Sequence, residues 1–121
     1  MNEEDRKKIE KIINERNESD KKLKELDSKV YSAFLNMEKQ TYSDRSLRKV
    51  HKELIAVGIS TVINCESCME WHIKEALRSG ASEKHVLEAI EVGIEMGGGP
   101  ATVSSRFALK VLEYYISPKN S

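Results

Sequence analysis

The sequence predicts an all-α domain, on three observations. Only two prolines, Pro100 and Pro118, occur in 121 residues, so nearly the whole chain is free of helix breakers. Apolar residues recur at intervals of three and four, and no segment sustains the two-residue alternation of a half-buried strand. Capping residues and glycines fall between the periodic stretches, where helices should start and stop.

Residues 1–29 are mostly charged and carry a weak stripe, Ile9, Ile12 and Ile13. They predict a helical N-terminal extension, either a solvated arm or a helix packed on a neighbouring subunit, ahead of a domain over 30–117. Leu23, Leu26, Val30, Ala33 and Met37 keep the three–four spacing of one helical stripe. TYSDRS (41–46) is a polar connector offering Ser43 or Ser46 as an N-cap. A helix over about 47–63 follows, with Leu47, Val50, Leu54, Val57 and Thr61 on one side. Its second half is apolar almost all round, which marks a buried helix.

Asn64 either ends that helix or caps the next, which runs over about 65–79 with Gly80 at the C′ position. Ser82 caps a further helix through Val86, Ile90 and Ile94, ended by GGGP (97–100). Pro100 suits the first turn of a last helix over 101–115, carrying Phe107, Val111, Leu112 and Tyr115. No strand precedes GGGP, so it predicts a helix break with close backbone approach rather than a phosphate loop.

Composition narrows the function classes. Lys plus Arg and Asp plus Glu both number 20, so net charge gives no ground for binding nucleic acid or an anionic membrane. The longest apolar-rich run, 54–63, is too short to span a bilayer, and MNEEDRKKIEK has no apolar signal-peptide core. A cytoplasmic location is expected, where a cysteine pair is more often catalytic or metal-binding than a structural staple.

Both cysteines lie in NCESCMEWH (64–72). In a helix starting near Asn64, Cys68 lies about 60° and His72 about 20° from Cys65 around the axis. All three then share one face, with His72 one turn beyond Cys68 and able to exchange the thiol proton. Helix starts favour thiolates, and Cys-x-x-Cys spacing suits a reversible disulfide. The segment thus offers a nucleophile, a resolving thiol and a base. Glu53, the only carboxylate between Asp44 and Glu66, is the candidate partner for the base. In an unbroken helix it would sit about 18 Å from Cys65. An αα-hairpin turning at Ile63–Asn64 brings it level with His72, although that turn holds no Gly or Pro.

Two other readings use the same residues: a pair of small core cysteines, or a zinc site built from Cys65, Cys68, His72 and Glu53. The helix dipole points to Cys65 as the attacking thiol, whereas the one-turn spacing to His72 points to Cys68, the choice preferred here. Trp71 and Met69 read as packing residues, and His51 and His85 as solvated.

HKELIAVGISTVINCESCMEWHIKEALRSGAS (51–82) resembles the AhpD-like branch of the carboxymuconolactone decarboxylase family, AhpD being a component of alkyl hydroperoxide reductase. It shares the Glu-Leu-Ile opening, Cys-x-x-Cys-x-x-x-His, the twelve-residue interval from Glu to the first Cys, and a later Gly-Ala-Ser turn. The resemblance covers about 31–115 and places the family's relay Glu on Glu53, its redox thiols on Cys65 and Cys68, and its relay His on His72. It implies an all-helical domain assembling as trimers or hexamers, and thiol–disulfide chemistry supporting peroxide or disulfide reduction. A peroxiredoxin or a lipoylated protein is the implied redox partner, with no cofactor or metal beyond the Cys65–Cys68 disulfide. Ser67 stands where AhpD proper has a further histidine, and this chain is shorter. Rival expectations are a cofactor-free decarboxylase or lyase using Glu53 and His72, and a metal-binding or non-catalytic helical oligomer.

Overall fold

The computed structural model describes residues 1–118, which form six α-helices and no strand. They are α1 (Glu3–Glu25), α2 (Lys29–Thr41), α3 (Lys49–Val62), α4 (Glu66–Arg78), α5 (Glu83–Gly97) and α6 (Gly99–Ile116). The all-α expectation is met. α3 packs against both α4 and α5, α6 lies across α4 and α5, and α1 lies along α4 and α6. Val57, Ile73, Ile90 and Val111, one from each of α3 to α6, are fully buried in the shared core. Their three–four spaced neighbours make each helix amphipathic, and burying those stripes together holds the bundle.

The α3–α4 hairpin that the site needs is present. Asn64 solves the missing Gly or Pro by taking a left-handed conformation, φ 54°. Asparagine tolerates this region better than most residues with a Cβ. The Cys65 N–H then donates to the Ser60 carbonyl at 3.0 Å, closing the end of α3. Gly80, φ 111°, ends α4 in the same manner, as its position suggests. Ser82 caps α5 with its hydroxyl accepting from the His85 N–H at 3.1 Å, while His85 Nδ1 accepts from the Ser82 N–H at 3.0 Å. His85 is exposed, as read from the sequence, and is also half of a capping box.

Other expectations are corrected. Ile9 is fully buried against the chain's own core, so α1 is not a free arm. The Leu23–Met37 stripe is not one helix: Asp27, φ 53°, breaks it, and Ser28 starts α2 by accepting the Tyr31 N–H at 3.1 Å. Val30 and Met37 face outward, 82% and 58% exposed. Neither Ser43 nor Ser46 caps α3; Asp44 Oδ1 does so from outside the helix, accepting the Lys49 N–H at 2.7 Å. The apolar second half of α3 is buried on one side only, since Ile55 and Ile59 stay more than half exposed. On its buried side α3 meets α5 almost backbone to backbone: a Cβ on Gly93 would sit 2.7 Å from the Gly58 carbonyl oxygen. The GGGP break falls between α5 and α6 as expected, and what leaves Gly97 no room for a side chain is the Ala101 Cβ, 2.6 Å from where its own Cβ would stand.

Candidate functional site

Glu53 and His72 meet across the hairpin. His72 Nδ1 lies 2.6 Å from Glu53 Oε1, and Lys49 Nζ, one turn before Glu53, donates to Oε2 at 2.6 Å. Glu53 is 1% exposed. Burial pushes its carboxyl up, but the hydrogen bonds from His72 and Lys49 together outweigh that and hold it below its ordinary value. A carboxylate kept charged can only accept, so Nδ1 must carry the proton and Nε2 is left as the basic nitrogen. Lys49 bridges onward to Glu75 at 3.2 Å, and the Tyr42 ring rests 5.1 Å from the imidazole. Burial opposes the charge of Lys49, but the two carboxylates raise its proton affinity above the usual lysine value. Glu53 is thus the centre of a charge cluster, not an isolated buried acid.

Cys65 and Cys68 are joined as a disulfide, with Cα atoms 5.2 Å apart. Cys65 is the N-cap of α4: its sulfur accepts the Cys68 N–H at 3.2 Å. Helix N–H donation of this kind stabilises negative charge on Cys65. Cys68, Trp71 and His72 line a cavity of about 380 Å³ between α1, α2 and α4, whereas Cys65 is absent from its walls. Phe34 and Leu35 of α2 form an apolar side, and Arg16, Asp20 and Glu38 add charge. Cys68, one turn before His72, therefore borders the open space.

A second polar cluster lies behind the disulfide. Glu70 is fully buried; its Oε1 accepts from Arg16 Nη1 of α1, and its Oε2 from the Tyr115 hydroxyl of α6. Burial, followed by the Glu70 bond, pushes the Tyr115 phenol well above its ordinary value, so it donates throughout the physiological range. Arg16 Nη2 also reaches the Ser67 carbonyl at 2.9 Å and the Ser67 hydroxyl at 3.0 Å. Sequence reasoning passed over Arg16, Lys49, Glu70 and Tyr115 as site residues. Two left a signal: Arg16 continues the Ile9–Ile12–Ile13 stripe, and Glu70 lies three residues before buried Ile73. Met69 is a fully buried packing residue, as expected, while Trp71 helps wall the cavity. His51 is exposed and lines a different cavity, away from the cysteines. Among the described residues, no group of three His, Cys, Asp or Glu side chains is placed to hold a metal ion. No helix among them is long and apolar enough to cross a membrane.

Residues 28–111 match the model of the carboxymuconolactone decarboxylase family. Over 84 residues the chain is 40% identical to uncharacterised protein 4 of the cox locus of Paracoccus denitrificans, covering 69% of this chain and 76% of that one. An uncharacterised protein of Cupriavidus necator is 38% identical over 84 residues, 69% of this chain and 72% of its own. An apo carboxymuconolactone decarboxylase family protein from Legionella pneumophila has the same fold, with TM-score 0.85, 24% identity, and coverage of 91% and 98% of the two chains. A Thermotoga maritima protein aligns with TM-score 0.78 and 27% identity over 85% of this chain and 90% of its own.

Proposed function

Because this chain belongs to the carboxymuconolactone decarboxylase family, we propose that it is a cytoplasmic thiol–disulfide oxidoreductase of the AhpD-like branch. The observation that carries the reading is the cavity-facing Cys68, paired with Cys65 and standing one turn before a histidine whose far nitrogen is fixed by buried Glu53. In the reduced protein His72 Nε2 takes the Cys68 proton, and the thiolate attacks one sulfur of an external disulfide. A mixed disulfide forms, and the departing thiolate receives that proton. Cys65, favoured as a thiolate by the α4 N-terminus, then attacks Cys68 and releases the second external thiol. Two protein thiols are oxidised to the Cys65–Cys68 disulfide, and one external disulfide becomes two thiols.

A hydroperoxide serves the same pair. Cys68 takes its terminal oxygen as a sulfenic acid while the alcohol leaves, and Cys65 then displaces water to give the disulfide. A dithiol donor returns the electrons. The AhpD resemblance suggests a lipoylated protein in that role and a peroxiredoxin as acceptor. In this reading the cysteine pair is the redox group and no further cofactor takes part. A second structure of the same Thermotoga maritima protein, with TM-score 0.77 and 27% identity, is of a family protein described in terms of an antioxidative response, which agrees with it. Assembly into a homo-oligomer, a trimer or hexamer, belongs to the same proposal. The outward apolar residues Ile55 and Ile59 of α3 and Val92 and Met96 of α5 support it.

Thiol titration of the full chain before and after a dithiol, with mass mapping and Cys65→Ser and Cys68→Ser variants, tests the redox reading. The expected result is two thiols gained on reduction and an intramolecular disulfide regained with oxidant. Wild type that never regains it, or peroxide and disulfide reduction that persists without both cysteines, would sink the proposal.

A further inference from the structure

We propose that α1, all of which precedes the segment matching the family model, is a working part of the dithiol site, with Arg16 as the positioning residue that holds the first turn of α4 and offsets the buried charge of Glu70. The inference rests on the thiol–disulfide reading of Cys65 and Cys68. Arg16 is not a loose surface cation: its side chain is 23% exposed. Its guanidinium bonds Glu70 Oε1, and it donates to the Ser67 carbonyl at 2.9 Å and hydroxyl at 3.0 Å. It also lies over the Trp71 ring, 5.3 Å from the centroid, and lines the cavity that Cys68 and His72 share. Ser67 lies between the two cysteines, so one side chain from α1 grips the backbone inside the redox loop. A planar fork with several donors suits that task, whereas a lysine ammonium offers a point charge.

The charge argument follows from position. Glu70 is fully buried two residues beyond Cys68, and a buried negative charge on the same turn of α4 opposes thiolate formation there through space. Arg16 supplies the compensating positive charge, and Tyr115 supplies a hydrogen bond without charge. Titratable groups from α1, α2, α3 and α4 join Tyr115 of α6 around this site. Across the cavity stand Asp20 of α1, with Tyr31 and Glu38 of α2. On α4 are His72, backed by Glu53 of α3, and Glu66, paired with Lys8 of α1 at 3.0 Å. Lys74 sits over Trp71, its ammonium 4.2 Å from the ring centroid. The grip on the Ser67 carbonyl belongs to Arg16.

The test is the pH profile of Cys68 alkylation in the reduced full-length protein, read by mass spectrometry with the melting temperature of each variant. Arg16→Met leaves Glu70 uncompensated and is expected to slow alkylation at pH 7 about tenfold, moving the profile upward. Arg16→Lys restores the charge but not the fork's hold on Ser67, and is expected to recover only part of that loss. Glu70→Gln keeps the shape, folds without a buried orphan charge, and is expected to speed alkylation several-fold, moving the profile downward. If Arg16→Met does not fold, the Glu70→Gln shift alone decides. Unmoved profiles with a lowered melting temperature would reduce Arg16 to a structural tie and overturn the inference. Wild-type protein that never cycles between dithiol and disulfide defeats the functional reading instead, so the two failures are told apart.

Discussion

Replacing Glu53 by Gln is the sharpest perturbation of the proposed relay. The side chain is 1% exposed and accepts from His72 Nδ1 and Lys49 Nζ, each at 2.6 Å. The amide keeps the shape and one acceptor oxygen but removes the charge that favours an imidazolium after proton transfer from Cys68. A hydrogen bond to a charged group contributes about 1.5–3 kcal/mol. Withdrawing it from the thiolate–imidazolium pair lowers the reactive fraction about 10–100-fold near neutral pH. The assay is the alkylation rate of reduced Cys68 against pH, with the turnover of a small disulfide measured alongside. Lys49 retains Glu75 at 3.2 Å, so the fold should survive, with a loss below the about 3–5 kcal/mol typical of breaking a buried pair. A variant that melts lower but alkylates at the wild-type rate across the profile would refute the relay.

The same carboxylate sets a pH signature. Its native pKa lies below the ordinary value of 4.5, so its contribution to stability is fully present above that value and is lost as pH falls through the lowered one. Denaturant titrations should show a wild-type advantage over Glu53→Gln at pH 7 that shrinks as pH falls below 4.5. Gly93→Ala forces a Cβ to within 2.7 Å of the Gly58 carbonyl oxygen, and calorimetry should find it less stable by about 1–3 kcal/mol. Asn64→Gly should leave thermal stability unchanged or raised, while Asn64→Ala, which must hold φ near 54°, should lose about 1–2 kcal/mol. Equal melting of the two Asn64 variants would show that the left-handed turn is not what reverses the chain.

Much of this architecture is legible in the sequence because helices declare themselves locally. The stripe through Val57, the Gly80 stop and the Ser82 cap each depend on residues within one or two turns. Glu53 and His72 could be brought together on paper because the hairpin is short and the intervals on either side of Asn64 nearly match. Asp27 marks the limit. The three–four spacing continues straight through it, and nothing in composition says that an aspartate will take a left-handed conformation there. The outer side of α3 marks another limit, since an apolar residue looks the same whether its own chain or another surface covers it. Arg16 is hidden for a further reason: its partners are 51 and 54 residues away, and on a helix crowded with charge one inward cation has no local distinction.

The N-cap of α4 is a sulfur, not the usual oxygen, and it belongs to the residue whose bonding would change with redox state. The amide proton of Cys68 is therefore an internal gauge. Its chemical shift and exchange rate should report the state of the Cys65 sulfur directly, before any dye, partner or substrate is added. A single resonance in an isotope-labelled sample would follow oxidation, reduction or alkylation of this protein in real time.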